Sequence, residues 1–223
     1  MSLILNIDSA TETAQVSVAK GGEILQSLHN ESQKDHASFL QMAIQKILKI
    51  AALSLSDVDA VAVTAGPGSY TGLRVGMASA KGLCYALNKP LIAVNTLEVL
   101  TVDAQFQLNK QEHILFCPMI DARRMEVFTA LYNADLTAIS APAATILQED
   151  SFLNYLQKTK IIFFGNGSIK WKAICNNTNA SFTDILNVSQ AMASLSYSYF
   201  LKKKFSNLPY TQPFYLKEFQ DNI

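Results

Sequence analysis

Cysteine is scarce in this chain, and neither sign of charge is in surplus. Cys84, Cys117 and Cys175 are its only cysteines, and none is spaced as Cys-x-x-Cys. That pattern indicates neither a disulfide framework nor a zinc cage, and it fits a reduced, cytoplasmic setting. Eighteen Lys and Arg balance eighteen Asp and Glu. A chain that grips nucleic acid alone normally carries a cationic surplus to neutralise phosphates, so a stand-alone nucleic-acid module is disfavoured. The run Lys202–Lys204 allows only a local contact. The three histidines, His29, His36 and His113, include no pair three or four residues apart. The helical His-x-x-x-His metal pair is therefore missing, and no metal ligand is assigned. No serine stands in a Gly-x-Ser-x-Gly elbow, so a hydrolase triad has no starting point and no catalytic residue is assigned. No run reaches the length of a membrane span, and the opening residues lack a basic signal-peptide region. A cytoplasmic globular protein without a membrane partner is expected.

What is present suits a real core. Hydrophobic residues make up 49% of the 223 positions, enough for one large domain or two lobes of about a hundred residues each. Residues 3–7 read as a buried strand and residues 14–19 as a second. The Gly21-Gly22 turn leads into a third strand at 23–28. Leu40, Ala43, Ile44, Ile47 and Leu48 form one stripe of a helix over 36–51. A strand at 60–64, a glycine loop, a helix over 71–87, a short strand at 91–94 and a helix from about Thr96 follow. The same order then recurs: strands at 114–120, 126–132 and 136–144, a strand at 161–164, the glycine loop Gly165-Asn166-Gly167, and a helix at 168–175. Asp8 and Asp121 occupy matching places, each ending a strand at a hairpin. The pattern predicts an α/β fold of duplicated βββαβα lobes, 1–107 and 108–223. A last helix over 189–204 is free to return to the first lobe.

The densest chemistry lies in Ala65-Gly-Pro-Gly-Ser-Tyr-Thr-Gly-Leu-Arg-Val-Gly. A strand, a glycine loop and a helix N-terminus in that order make an anion site. Asp8, Gly66, Gly68 and Arg74 are thus the candidate nucleotide-binding residues, with Asp8 and Asp121 able to hold a magnesium-bound phosphate across a cleft. Capping of the strand-end turn is the competing role for both carboxylates. The loop lacks the Gly-Lys-Ser/Thr of a Walker motif and has one residue too many for a dinucleotide fingerprint. The helix it launches carries Gly72, Gly76 and Ala80 four apart, a flat face that lets another helix approach closely. Arg123-Arg124 is a compact basic pair, either an anion contact or a solvated turn.

Four segments carry a family resemblance: Ile7-Asp-Ser-Ala-Thr-Glu-Thr, Gly66-Pro-Gly-Ser-Tyr-Thr-Gly-Leu-Arg-Val-Gly, Asp121-Ala-Arg-Arg-Met-Glu-Val-Phe and Pro213-Phe-Tyr-Leu-Lys. Together they resemble the TsaB (YeaZ) family, which serves tRNA threonylcarbamoyladenosine synthesis, and the likeness runs nearly end to end. The resemblance implies an actin-like (ASKHA, ribonuclease H-like) fold. It also implies a non-catalytic subunit that pairs with the catalytic paralogue TsaD and works with the ATPase TsaE. Such a subunit meets tRNA only through the complex and forms homodimers when alone. No cofactor is tightly bound; ATP or ADP is the candidate nucleotide at the interface with partners. The family's pairing surface falls on the helices over 36–51 and 72–87, so His36, Leu40, Gly72, Leu73, Gly76, Met77 and Ala80 are the expected partner-binding residues. An actin-like phosphotransferase and a metalloprotease are the alternative readings.

Overall fold

The structure is a computed structural model that describes residues 1–30, 36–108, 113–185 and 187–217. The chain divides into two units: Met1–Thr96 with Ser189–Tyr215, and Leu97–Val188 with the residues from Leu216. The division thus falls at Thr96/Leu97, eleven residues before the sequence boundary at 107/108. The helix that begins at Thr96 is counted almost wholly with unit two.

Unit one is built on a five-stranded sheet of β1 (Leu3–Asp8), β2 (Ala14–Lys20), β3 (Glu23–Asn30), β4 (Ala60–Gly66) and β5 (Leu91–Asn95). Its order is β3-β2-β1-β4-β5. β1 pairs antiparallel with β2 and parallel with β4, with Ile4 opposite Ala60 and Ile7 opposite Val63. All six residues of β1 are buried, as expected for a central strand covered on both faces. Leu5 and Ile7 join Val16, Val18, Val61 and Val63 in a core roofed by α1 (His36–Ile50) and α2 (Tyr70–Leu87). Asn6, of opposite parity, accepts a hydrogen bond from Ser196 Oγ at 2.6 Å. That serine lies on the last helix, α6 (Val188–Leu201), and both partners are buried. The last helix therefore belongs to unit one. Period-two alternation sends one face of β1 to α1 and α2 and the other to α6.

Unit two repeats the plan. α3 (Thr96–Leu108) precedes β6 (Ile114–Asp121), β7 (Glu126–Tyr132), β8 (Ala138–Ile146), α4 (Leu153–Leu156), β9 (Lys160–Phe164), α5 (Ser168–Lys172) and β10 (Ala180–Phe182). The sheet order is β10-β9-β6-β7-β8, the same arrangement as in unit one. Phe116, Ile120, Ile162 and Phe164 pack with Leu97, Leu100 and Ala104 of α3. Cys117, Met119, Ile161 and Phe163 turn the other way, toward Trp171 and Leu156. The one-turn α4 and the three-residue β10 are too short to leave a periodic signature and are absent from the sequence reading. Among the described residues, no helix is long and apolar enough to cross a membrane.

The cysteines test this packing. Burial pushes the Cys84 thiol up to about 11 and the Cys117 thiol up to about 12, whereas Cys175 is only half-buried. A thiol buried and held protonated is a poor nucleophile. Titration of the native chain with a thiol-specific chromogenic disulfide is therefore expected to show one fast equivalent. All three should react in denaturant, and three fast equivalents without denaturant would contradict the packing described.

Candidate functional site

The loop between β4 and α2 is closed on its own chain. Gly66 has a φ of 115°, and a Cβ there would stand 2.4 Å from the Phe214 carbonyl oxygen. At Gly68 a Cβ would lie 2.1 Å from the Ala10 carbonyl oxygen, and at Gly72 it would lie 2.0 Å from that of Ser9. Gly68 and Gly72 are thus required by the turn that follows β1, and Gly66 by the approach of Phe214. One of the loop's donors goes to that turn and another to the loop's own Ser69. Ser69 N–H donates to Ala10 O at 2.6 Å, and Gly72 N–H donates to the Ser69 hydroxyl at 3.3 Å. Ser9 Oγ in return donates to Gly72 O at 2.7 Å. The amides of Ser69 and Gly72, which a phosphate would need, are already engaged.

Asp8 is similarly occupied. It is buried, and its Oδ1 accepts from Ala10 N–H at 3.0 Å and from Thr64 Oγ at 2.8 Å. Its Oδ2 accepts from Gln15 Nε2 at 3.3 Å, and Gln15 Oε1 accepts in turn from Ser189 on α6. A buried carboxylate with this many donors ties β1, β4, β2 and α6 together. The capping role weighed against phosphate binding is the one its hydrogen bonds describe.

Arg74, the expected nucleotide contact, lies on the outer side of α2. Its Nε donates to Tyr215 Oη at 3.2 Å, and its guanidinium carbon sits 4.0 Å from the centre of the Tyr70 ring. The Tyr70 and Tyr215 rings are 4.9 Å apart. This cation–aromatic cluster fastens the C-terminal segment to the start of α2. Phe214 N–H donates to Ala65 O at 2.6 Å, and Lys81 Nζ donates to the carbonyls of Pro209 and Thr211 at 3.1 and 2.9 Å. Residues 209–215 thereby run along one flank of α2. On the other flank α1 is joined to it by Gln41 Nε2 donating to Ser79 Oγ at 3.3 Å.

The same geometry turns most of the expected partner-binding residues inward. Gly72, Leu73, Gly76, Met77 and Ala80 are all buried, as is Leu40 on α1. They face their own sheet: a Cβ at Gly76 would lie 2.4 Å from Ser9 Oγ and 3.5 Å from Val63 Cγ2. The close approach these small residues permit is made by the helix to β1 and β4 within unit one. The His36 side chain lies outside the described residues. The outward face of α2 instead carries Thr71, Arg74, Ala78, Gly82 and Tyr85. A methyl group added at Gly82 would meet no atom within 4 Å beyond its chain neighbours and its own helix backbone, and the backbone there has no positive φ. Sequence reading missed this glycine, although its spacing of four from Ala78 was available.

Unit two holds the counterpart of the loop. A Cβ at Gly165 would meet Met119 O at 2.4 Å, and one at Gly167 would meet Val127 Cγ1 at 2.8 Å. Asp121 differs from Asp8: it is exposed and pairs with Lys170 Nζ at 2.8 Å. Among the described residues, no three His, Cys, Asp or Glu side chains converge to hold a metal.

Comparison with known proteins decides the family. Residues 23–200 match the family model described as TsaD, tRNA N6-adenosine threonylcarbamoyltransferase. The chain is 28% identical over 222 residues to the tRNA threonylcarbamoyladenosine biosynthesis protein TsaB of Escherichia coli strain K12, covering 96% of this chain and 94% of that one. The chain belongs to the TsaD family, in its TsaB (YeaZ) group. The Bacillus subtilis strain 168 TsaB is 31% identical over 132 residues, 58% of this chain and 55% of its own. The solved structure of YeaZ from Pseudomonas aeruginosa superposes with a TM-score of 0.79 at 24% identity, over 97% of this chain and all of that one. The fold is thus the duplicated, actin-like fold of the TsaB group, as the paired strand orders of the two units already indicate.

Proposed function

We propose that this TsaB-group chain serves tRNA threonylcarbamoyladenosine biosynthesis as a non-catalytic subunit. It docks a TsaD-type catalytic relative, and a TsaE-type ATPase joins the assembly. The observation that carries the non-catalytic reading is the closure of the glycine loop on Ala10, with the Asp8 carboxylate engaged by Thr64, Gln15 and the Ala10 amide. That closure speaks against the alternative of an actin-like phosphotransferase, which needs those amides and that carboxylate for phosphate and metal. The docking face in this reading is the outward side of α2 around Ala78, Gly82 and Tyr85, flanked by Met42 and Lys46 of α1. All five are exposed. A mid-helix glycine with open space above it lets a partner helix approach closely. Exposed Tyr85 supplies an anchor of the kind that dominates interfaces.

The reading gives the isolated chain no tightly bound cofactor and leaves ATP or ADP to the interface with its partners. It places the protein in the cytoplasm, bringing it to tRNA only within the complex, and pairs two copies through the same α2 face when the catalytic relative is absent. The test is reconstitution of adenosine modification on unmodified tRNA from the catalytic relative, the ATPase and this chain. Full assembly is expected to yield modified tRNA, and omission of this chain to remove most of it. Undiminished modification without the chain, or transfer by the chain alone, would overturn the proposal.

A further inference from the structure

The two copies of the strand–Asp–hairpin have diverged in one respect that the docking role leaves unexplained. In unit one the turn after Asp8 reads Ser-Ala-Thr-Glu-Thr and carries no cation, and the aspartate is buried. In unit two the turn after Asp121 carries Arg123 and Arg124, both exposed. Their φ angles are 69° and 49°, a region that favours glycine and asparagine and that long side chains rarely adopt. The turn is closed by Glu126 N–H donating to Arg123 O at 3.1 Å, and Arg123 N–H donates to Asp121 Oδ1 at 2.6 Å. Residues in such a conformation carry strain and are held there by the surrounding structure.

Among the described residues, the nearby acids Asp121 and Glu126 are engaged by other cations. Asp121 is matched by Lys170, which also reaches the Glu126 carbonyl at 3.4 Å, and Glu126 is matched by Lys217. Among the described residues neither guanidinium has a side-chain partner. Two adjacent guanidinium forks thus project from the tip of a hairpin whose carboxylates are already taken. Exposed Met125 beside them adds an apolar surface.

We propose that the Arg123–Arg124 hairpin tip is an RNA contact that binds two backbone phosphates of the tRNA within the assembled complex. The proposal rests on the tRNA-modification reading above. Arginine suits the task because its planar fork meets phosphate oxygens bidentately and keeps its charge at every physiological pH. The neutral total charge of the chain agrees with a local contact inside a larger complex rather than independent binding.

The test uses the full chain reconstituted with its catalytic relative, titrated into labelled unmodified tRNA between about 50 and 200 mM salt. The double variant R123N/R124G removes both guanidiniums and places residues there that accept a positive φ, so folding is retained. It is expected to weaken tRNA binding roughly tenfold and to flatten the dependence of log affinity on log salt by about 1.4 to 1.8, the contribution of two phosphates. R123K/R124K should keep most of that slope. Inorganic tripolyphosphate at matched charge should not abolish the difference between wild type and R123N/R124G, as it would if the tip merely bound free phosphate. Unchanged affinity and slope in R123N/R124G, with wild-type complex binding and modifying tRNA normally, would overturn this inference alone. Loss of association with the catalytic relative at unchanged tRNA affinity would overturn it in favour of an acidic protein contact. A wild-type complex that neither binds nor modifies tRNA would sink the functional reading and this inference together.

Discussion

Gly72→Ala is expected to destabilise unit one by about 3 kcal/mol or more, at the upper end of overpacking costs. The new methyl would lie 2.0 Å from the Ser9 carbonyl oxygen, and a backbone atom cannot rotate aside as a flexible side-chain end can. Relief would require α2 to lift from β1. That movement would break the Ser9–Gly72 hydrogen bond and the Ser69–Ala10 contact together. A urea titration followed by circular dichroism measures the effect. A midpoint equal to that of the unmodified chain would show that the helix does not press on this turn. Gly76→Trp belongs to the same class, because Ser9 Oγ and Val63 fill the space above Gly76. It is expected to prevent folding, so it cannot report on partner binding.

Gly82 is the position where the fold and the partner are separable. With nothing within 4 Å of the added methyl, Gly82→Ala should stabilise the isolated chain by about 1 kcal/mol, the helix-propensity difference between the two residues. Gly82→Trp should leave the monomer folded while blocking a partner helix. Its association with the catalytic relative should fall at least about thirtyfold, the equivalent of a 2 kcal/mol hot spot. Size-exclusion chromatography of the mixed proteins, with calorimetry for the affinity, decides the matter. A folded Gly82→Trp chain that still forms the complex would remove the α2 face from the interface. The pair of variants is informative because a glycine kept for internal reasons would lose stability in both.

The contrast between Gly72 and Gly82 shows where sequence reading reached its limit. Residues 72, 76 and 80 and residues 78, 82 and 86 are both stripes of small side chains four apart on one helix. Spacing alone does not say which stripe meets the sheet. The apolar neighbours Leu73, Met77 and Cys84 do lie on the 72–76–80 side and are buried with it. Hydrophobic periodicity thus contained the answer that the glycine pattern obscured. Duplication was legible because it repeats local features: a strand ending in aspartate, a hairpin, and a strand ending in a glycine loop. The partners of Asp8 were not legible. Thr64 is 56 residues away, and Ser189, reached through Gln15, is 174 residues from that glutamine. The path of residues 206–215 was equally hidden. Pro209 and Pro213 announced the end of regular structure but not the attachment of Phe214 to Ala65 or of Tyr215 to Arg74.

The α/β class, the duplicated lobes, the family and the glycine loop that precedes α2 could all be read from the residues alone. The class, the lobes and the loop are written in local features, where backbone freedom and apolar period act; the family was carried by a resemblance over four separate segments. The use of the loop and helix within the chain came instead from three-dimensional packing. The turn after β1 fills the loop, the Gly72–Gly76–Ala80 face closes on the sheet, and Gly82 is left outward. Those assignments depend on which surfaces meet across long separations, and close packing settles them by excluding a single methyl group.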